Sequence, residues 1–166
     1  MEPIICQRDI PKKQWRYGFR SSAATGCGWI AAYNALLLMG DYETPETLIR
    51  WFERRLPLVH GNLGTWITAP AAFLKRRGYR TQTLCRRERF DAAAREADCA
   101  ILFYWWHKGV KLGAHFVALH HTEQGFVGYN TYSNSKAPDH YGASVEQFLK
   151  RRKYFGAVLI PIQKPE

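Results

Sequence analysis

Apolar residues crowd the stretch from Ile30 to Met39 with almost no polar interruption, so a helix there has no solvent face and belongs in the middle of a fold. The pattern starts it near Cys27 and Gly40 stops it. Thr44 as N-cap, Pro45 at the first position and Glu46 in the first turn predict a second helix through Trp51 to Arg55. A third begins near Thr68 to Pro70 and ends at Gly78. The texture then changes. Tyr79 to Leu84 alternates as a short strand, and Phe90 to Ala97 is an alanine-rich helix. Cys99 to Trp106 is a continuous aliphatic and aromatic strand. His115 to His121 and Phe126 to Tyr132 flank Glu123-Gln124-Gly125, a hairpin signal. Ser144 with Gln147 three residues on is a capping box for a helix through Arg152, and Ala157 to Ile162 closes as a strand. Residues 1–25 have no clear period and are expected to form an irregular arm. Helices first and a mostly antiparallel sheet afterwards is the α+β pattern.

At 166 residues the chain is expected to form a single domain, 1–166, and its 46% hydrophobic content excludes a disordered chain. The net charge of +10 changes the picture less than its size suggests. It gathers in Arg54-Arg55, Lys75-Arg76-Arg77, Arg86-Arg87 and Lys150-Arg151-Arg152-Lys153, several near helix C-termini where cations complement the dipole. These runs are therefore read as solvated helix ends and not as a nucleic-acid footprint. No basic and apolar leader opens the chain and no apolar run reaches membrane-spanning length, which makes a cytoplasmic location the default, with signal-independent export left open. Cys6, Cys27, Cys85 and Cys99 are scattered, without a C-x-x-C pair or a Cys/His cluster at zinc spacing.

Of the four thiols, only Cys27 stands between glycines at a helix tip, where unsatisfied N–H groups favour a thiolate. Gly26 and Gly28 leave room there for a substrate backbone, and a backbone N–H could bind an oxyanion. A thiol nucleophile needs a base, and the base an orienting group. His115 opens the first hairpin strand and Asn130 lies on the second, both toward the open end, giving a workable Cys-His-Asn unit. Asn134 is a rival to Asn130, and His107 a reserve base. His120 and His121 are adjacent and so point to opposite faces of a strand. The run Phe103-Tyr104-Trp105-Trp106 is assigned to core and cleft-wall packing.

The order of these motifs resembles papain-like cysteine peptidases, and more narrowly the bacterial branch similar to bacteriocin (double-glycine) leader peptidases. The resemblance rests on Tyr17-Gly18, Ser22 and Gly26-Cys27-Gly28 before an apolar helix, then His115-Phe116-Val117-Ala118-Leu119 and Gly125-Phe126-Val127-Gly128-Tyr129-Asn130. It implies a papain-like α+β fold, a central buried helix on the sheet, and thiol-dependent cleavage of peptide bonds with Cys27, His115 and Asn130 as triad. The family also uses an upstream amide side chain in its oxyanion hole. The papain-type position holds Ser21 and Ser22; Gln7 in Gln7-Arg8-Asp9 fits a Gln-x-Asp variant, and Gln14 is the nearer choice. Trp29 replaces a frequent Pro, and Asn130-Thr131 a frequent Asp-Pro. The implied reaction needs no cofactor and no metal, and its partner is a peptide or protein substrate. The same residues leave two alternatives: acyl transfer to an amine, and a catalytically silent binding module.

Overall fold

A computed structural model describes residues 1–54, 64–108, 111–132 and 134–165. Its scaffold is a six-stranded antiparallel sheet of β3 (Arg80–Thr81), β4 (Cys99–Lys108), β5 (Lys111–Thr122), β6 (Gly125–Tyr129), β7 (Asp139–Gly142) and β8 (Tyr154–Gln163), in the order β3-β8-β4-β5-β6-β7. The arm carries a two-stranded hairpin, β1 (Arg16–Tyr17) and β2 (Arg20–Ser21). The helices are α1 (Ser22–Thr25), α2 (Cys27–Leu38), α3 (Pro45–Glu53), α4 (Ala69–Arg76), α5 (Phe90–Glu96) and α6 (Val145–Arg151). Mixed helices and an antiparallel sheet agree with the α+β expectation. Among the described residues no helix is long and apolar enough to cross a membrane.

The sheet is covered on both faces, which explains why its central strands read as unbroken apolar runs. Ile101, Phe103, Phe116, Ala118, Val158 and Ile160 face α2, α3 and α4. Leu102, Tyr104, Val117, Leu119 and Leu159 face α5 and α6. Helix α2 is buried on nearly every side, as its sequence required. Thr44 caps α3 by accepting from the Thr47 N–H, and Ser144 caps α6 by accepting from the Gln147 N–H. Ser144 Oγ also donates to Asp91 on α5 at 2.7 Å, tying the two helices of that layer together. Of the basic runs, Arg77 is not simply solvated: it bonds Asp41 at 2.8 Å and Glu43 at 2.9 Å.

The strands differ from expectation where glycines and tryptophans meet. β4 and β5 pair as far as Lys108 opposite Lys111, so Leu112-Gly113-Ala114 is strand. Gly113 belongs there because the Trp106 ring covers it; a Cβ would stand 2.5 Å from that ring. Gly156 sits under Trp105 in β8 in the same way. Such glycines lower strand propensity locally but make room for a large neighbour. Gly128 of β6 likewise gives room to the Tyr141 ring, which stacks on Phe148 with centroids 3.8 Å apart. In the segment Tyr79 to Leu84 the strand is Arg80–Thr81, followed by a Gln82 N–H bond to the Pro161 carbonyl and an isolated bridge from Leu84 to Leu159. Arg55, at the expected end of the second helix, lies outside the described residues.

Two buried asparagines fix the arm. Asn34, in the middle of α2, accepts from the Ile4 N–H at 2.8 Å and donates to the Ile4 carbonyl at 2.9 Å. Asn130, at the end of β6, does the same to Gln7: it accepts from the Gln7 N–H at 2.8 Å and donates to Gln7 Oε1 at 3.1 Å. A polar side chain inside a helix this apolar would be costly without such partners. The arm is therefore irregular in its backbone but not loosely held.

Candidate active site

Cys27 is the first residue of α2, and α1 leads directly into it, with Gly26 as the joint. The N–H groups of Phe116, Cys27 and Gly28 point at the sulfur. The thiol thus lies against the peptide that links His115 to Phe116. His115 faces the opposite side of β5 from Phe116, beside Tyr104, with ring centroids 6.3 Å apart. Its Nε2 lies 2.5 Å from the backbone carbonyl of Asn130. A carbonyl only accepts, so Nε2 carries the proton and Nδ1 keeps the lone pair.

This corrects the expected part of Asn130. Its side-chain oxygen does not hold the imidazole; its main-chain carbonyl does, while the side-chain amide holds Gln7. The cause is a backbone φ of 60° at Asn130, a conformation that asparagine tolerates better than most residues. Gln7 completes the chain of contacts by donating from Nε2 to the Ala23 carbonyl at 3.2 Å, just before the helix tip. Cys27 lies against the backbone N–H of the residue after His115, and three more of the residues singled out from the sequence, Gln7, His115 and Asn130, are thus joined by hydrogen bonds. The rivals are not: Asn134 and Gln14 are exposed, and His107 packs edge-on against Phe155 at the sheet end. Ser22 is occupied, accepting from the Trp29 indole at 3.1 Å, which makes Trp29 a buried prop for the helix tip and not a pocket wall.

The electrostatics also depart from the sequence expectation. The three N–H groups pull the thiol toward ionisation, but burial outweighs them and pushes Cys27 up to about 11. Burial pushes His115 down to about 4; the Asn130 carbonyl opposes that, and the positive charge of Arg152 adds to it. The resting pair is therefore a neutral thiol and a neutral imidazole. The flanking glycines have internal reasons as well. A Cβ at Gly28 would run into the Thr65 side chain, and one at Gly26 would lie 2.6 Å from the Ser22 carbonyl and from the Trp29 indole nitrogen. The packing of the helix tip by itself requires glycine at both positions.

Two hollows flank β5 here, one reached by Cys27 and the other by His115. One, of about 400 Å³, is lined by Cys27, Thr65, Trp66, Phe103, Trp105 and Phe116 among others and is mostly apolar. The other, of about 190 Å³, is lined by Gln7, His115, Asn130 and Arg152 together with aromatic side chains. Among the described residues no group of three or more His, Cys, Asp or Glu side chains is placed to hold a metal ion.

No protein-family model and no curated protein matches the chain. Solved structures do. The peptidase domain of Streptococcus ComA, a bi-functional ABC transporter involved in a quorum-sensing pathway, superposes with a TM-score of 0.53. The match is at 15% sequence identity and covers 84% of this chain and 91% of that one. The fold is that of papain-like cysteine peptidases. The Pseudomonas avirulence protein AvrPphB is more distant, with a TM-score of 0.43 at 11% identity over 82% of this chain and 89% of that one. Within this papain-like fold, Cys27 is the first residue of α2 and His115 lies on β5.

Sequence reasoning missed Arg152, which lines the smaller hollow, because its basic run was assigned to solvent. A signal was available: Val145, Phe148 and Leu149 form the buried stripe of α6, and Arg152 continues it one turn on. Thr65 gave no comparable sign, since nothing in its neighbourhood marks it as the residue that seats against Gly28.

Proposed function

We propose that this chain is a thiol-dependent hydrolase of peptide or amide bonds, with Cys27 as nucleophile and His115 as base. The observation that carries the reading is the Asn130 carbonyl on Nε2 of His115, because it leaves Nδ1 unprotonated on the residue whose following peptide N–H, that of Phe116, points at the sulfur. In the proposed reaction Nδ1 takes the thiol proton as sulfur attacks the carbonyl carbon, and then gives it to the departing amine. The backbone N–H of Cys27 stabilises the oxyanion, and Gln7, with one N–H on Ala23, offers its second. Water then releases the acyl group from sulfur. Asn130 acts as a positioning residue through both its carbonyl and its clasp on Gln7.

Two measurements test the proposal. Mass spectrometry of a peptide pool incubated with the protein should show new termini, and one equivalent of iodoacetamide on Cys27 should stop their appearance. The rate of that alkylation should rise about tenfold per pH unit from pH 5 to pH 9, because burial keeps the sulfur protonated in the resting state. A plateau at mildly acidic pH would instead reveal a resting thiolate. If no peptide in the pool is cut, the reading as a hydrolase fails and the binding-module alternative takes its place. That alternative draws support from the neutral resting pair.

A further inference from the structure

The smaller hollow contains features that a hydrolytic site of this kind does not require. Arg152 lies at the end of α6 with its guanidinium 4.7 Å above the Tyr132 ring and 5.8 Å and 5.9 Å from those of Trp106 and Tyr104. Three rings thus hold a cation in place. Neither Arg152 nor Arg8, exposed at the rim of the same hollow, forms an ion pair among the described residues. The Nε of Arg152 is buried without a hydrogen-bond partner, while the fully buried hydroxyl of Tyr104 lies within reach of the same guanidinium. Contact with the rings accounts for where the guanidinium sits. It does not account for a guanidinium N–H left unsatisfied, which costs free energy unless something arrives to meet it.

The direction of the chemistry says what arrives. A base that takes the thiol proton must return it to the leaving nitrogen, so the leaving segment lies on the side toward which the imidazole faces. On β5 that side is the face of His115 and Tyr104, which opens into the hollow with Arg152, whereas Cys27 lines the apolar groove on the other face. We infer that the hollow on the imidazole side of His115 is a carboxylate-binding subsite for the leaving segment of the substrate. This deepens the hydrolase reading and rests on it for the direction of the peptide. A carboxylate is the anion a peptide itself carries, and a planar guanidinium held against rings presents a matching fork. That carboxylate has two sources, an acidic side chain just past the cleaved bond or the free end of a short leaving segment.

The test uses peptide pools fixed only on the leaving side, with Glu or Gln at the first or second position and a free or amidated end. With the unaltered chain, kcat/KM should favour the carboxylate member of a pair by about tenfold, mainly through KM. Arg152→Gln should reduce that preference to about twofold or less, and Arg152→Lys, which keeps the charge but loses the fork, should retain an intermediate part of it. If the preference follows Glu against Gln, the source is a side chain; if it follows the free end against the amide, the source is the terminus. Calorimetric binding of the same pools to the Cys27→Ala protein separates this inference from the hydrolase reading. A carboxylate preference there that Arg152→Gln removes supports the subsite even if no pool is cut. Equal binding of the paired pools, within about twofold, overturns it.

Discussion

Cys27→Ala and His115→Ala should each lower peptide turnover by about 10⁴-fold or more, and the double variant should be no worse than the more damaged single one. The two side chains act in one step, so removing either removes the step, and the loss does not accumulate. Both variants should fold, since each substitution is a truncation at a site bordering an open hollow. Near-ultraviolet circular dichroism and the unfolding midpoint check that point. The pH profile of the unaltered chain carries the second half of the expectation. His115 is a base only while neutral, and burial holds it near 4, so kcat/KM should fall only below about pH 4. The thiol, held near 11, contributes no alkaline fall below that value. A bell centred near neutrality with limbs at ordinary His and Cys values would contradict this arrangement. The same shift bears on stability. A His whose folded value lies below its unfolded one disfavours the protonated fold, so its contribution is present above about 6.5 and is lost as pH falls toward 4.

How much of this was legible in the sequence depends on whether a residue's neighbours in sequence are also its neighbours in space. Helix α2 and strand β4 were plain because each is buried on all sides, and burial writes itself directly as unbroken apolar sequence. Cys27 followed from α2 and His115 from the hairpin strand beyond β4, so local pattern located both. Asn130 was found in position but not in function. Its φ of 60° turns its carbonyl to the imidazole and frees its amide for Gln7, and a φ angle has no reliable sequence signal at an asparagine. The extra strand residues around Gly113 and Gly156 were hidden for a related reason. Their place in the sheet depends on the rings of Trp106 and Trp105 lying across the strand, a contact between different elements. Gln7 joins the site across 123 residues of sequence through its bonds to Asn130, a distance over which spacing says nothing.

The expectation of an activated thiolate meets an opposing effect, and the reason generalises. A helix tip supplies N–H groups that lower a thiol's pKa, and all three near Cys27 do so. The sequence shows the tip but not the depth at which it is buried. Here the packing around the half-buried first residue of α2 disfavours its charge, and that effect outweighs the amides. A structure built this way suits a base that works at the moment of attack better than a standing ion pair. It also gives weight to Arg152, whose charge adds to the force keeping His115 neutral.

Gly28→Ala should be the most disruptive of the conservative substitutions, costing about 3 kcal/mol of stability as read by urea unfolding. The added methyl would occupy space now filled by the Thr65 side chain, and two of the atoms it would crowd belong to the branched Cβ, which cannot swing aside. Thr65 is itself tied down, donating from Oγ1 to the Tyr17 hydroxyl at 3.0 Å. Relief therefore requires moving either the helix tip or residues 64–67, which line the apolar groove beside Cys27. Either displacement should change the alkylation rate of Cys27 along with stability, which a remote packing defect would not do. Thr65→Gly combined with Gly28→Ala should recover part of the loss, because the crowded atoms are gone. The recovery is incomplete, since the bond to Tyr17, worth about 1 kcal/mol, goes with them. A coupling of about 1–3 kcal/mol between the two sites in a double-mutant cycle would establish that the glycine beside the nucleophile is there to seat Thr65. If the two losses simply add, Gly28 is required by something other than Thr65, and the approach of a substrate backbone to the helix tip returns as its reason.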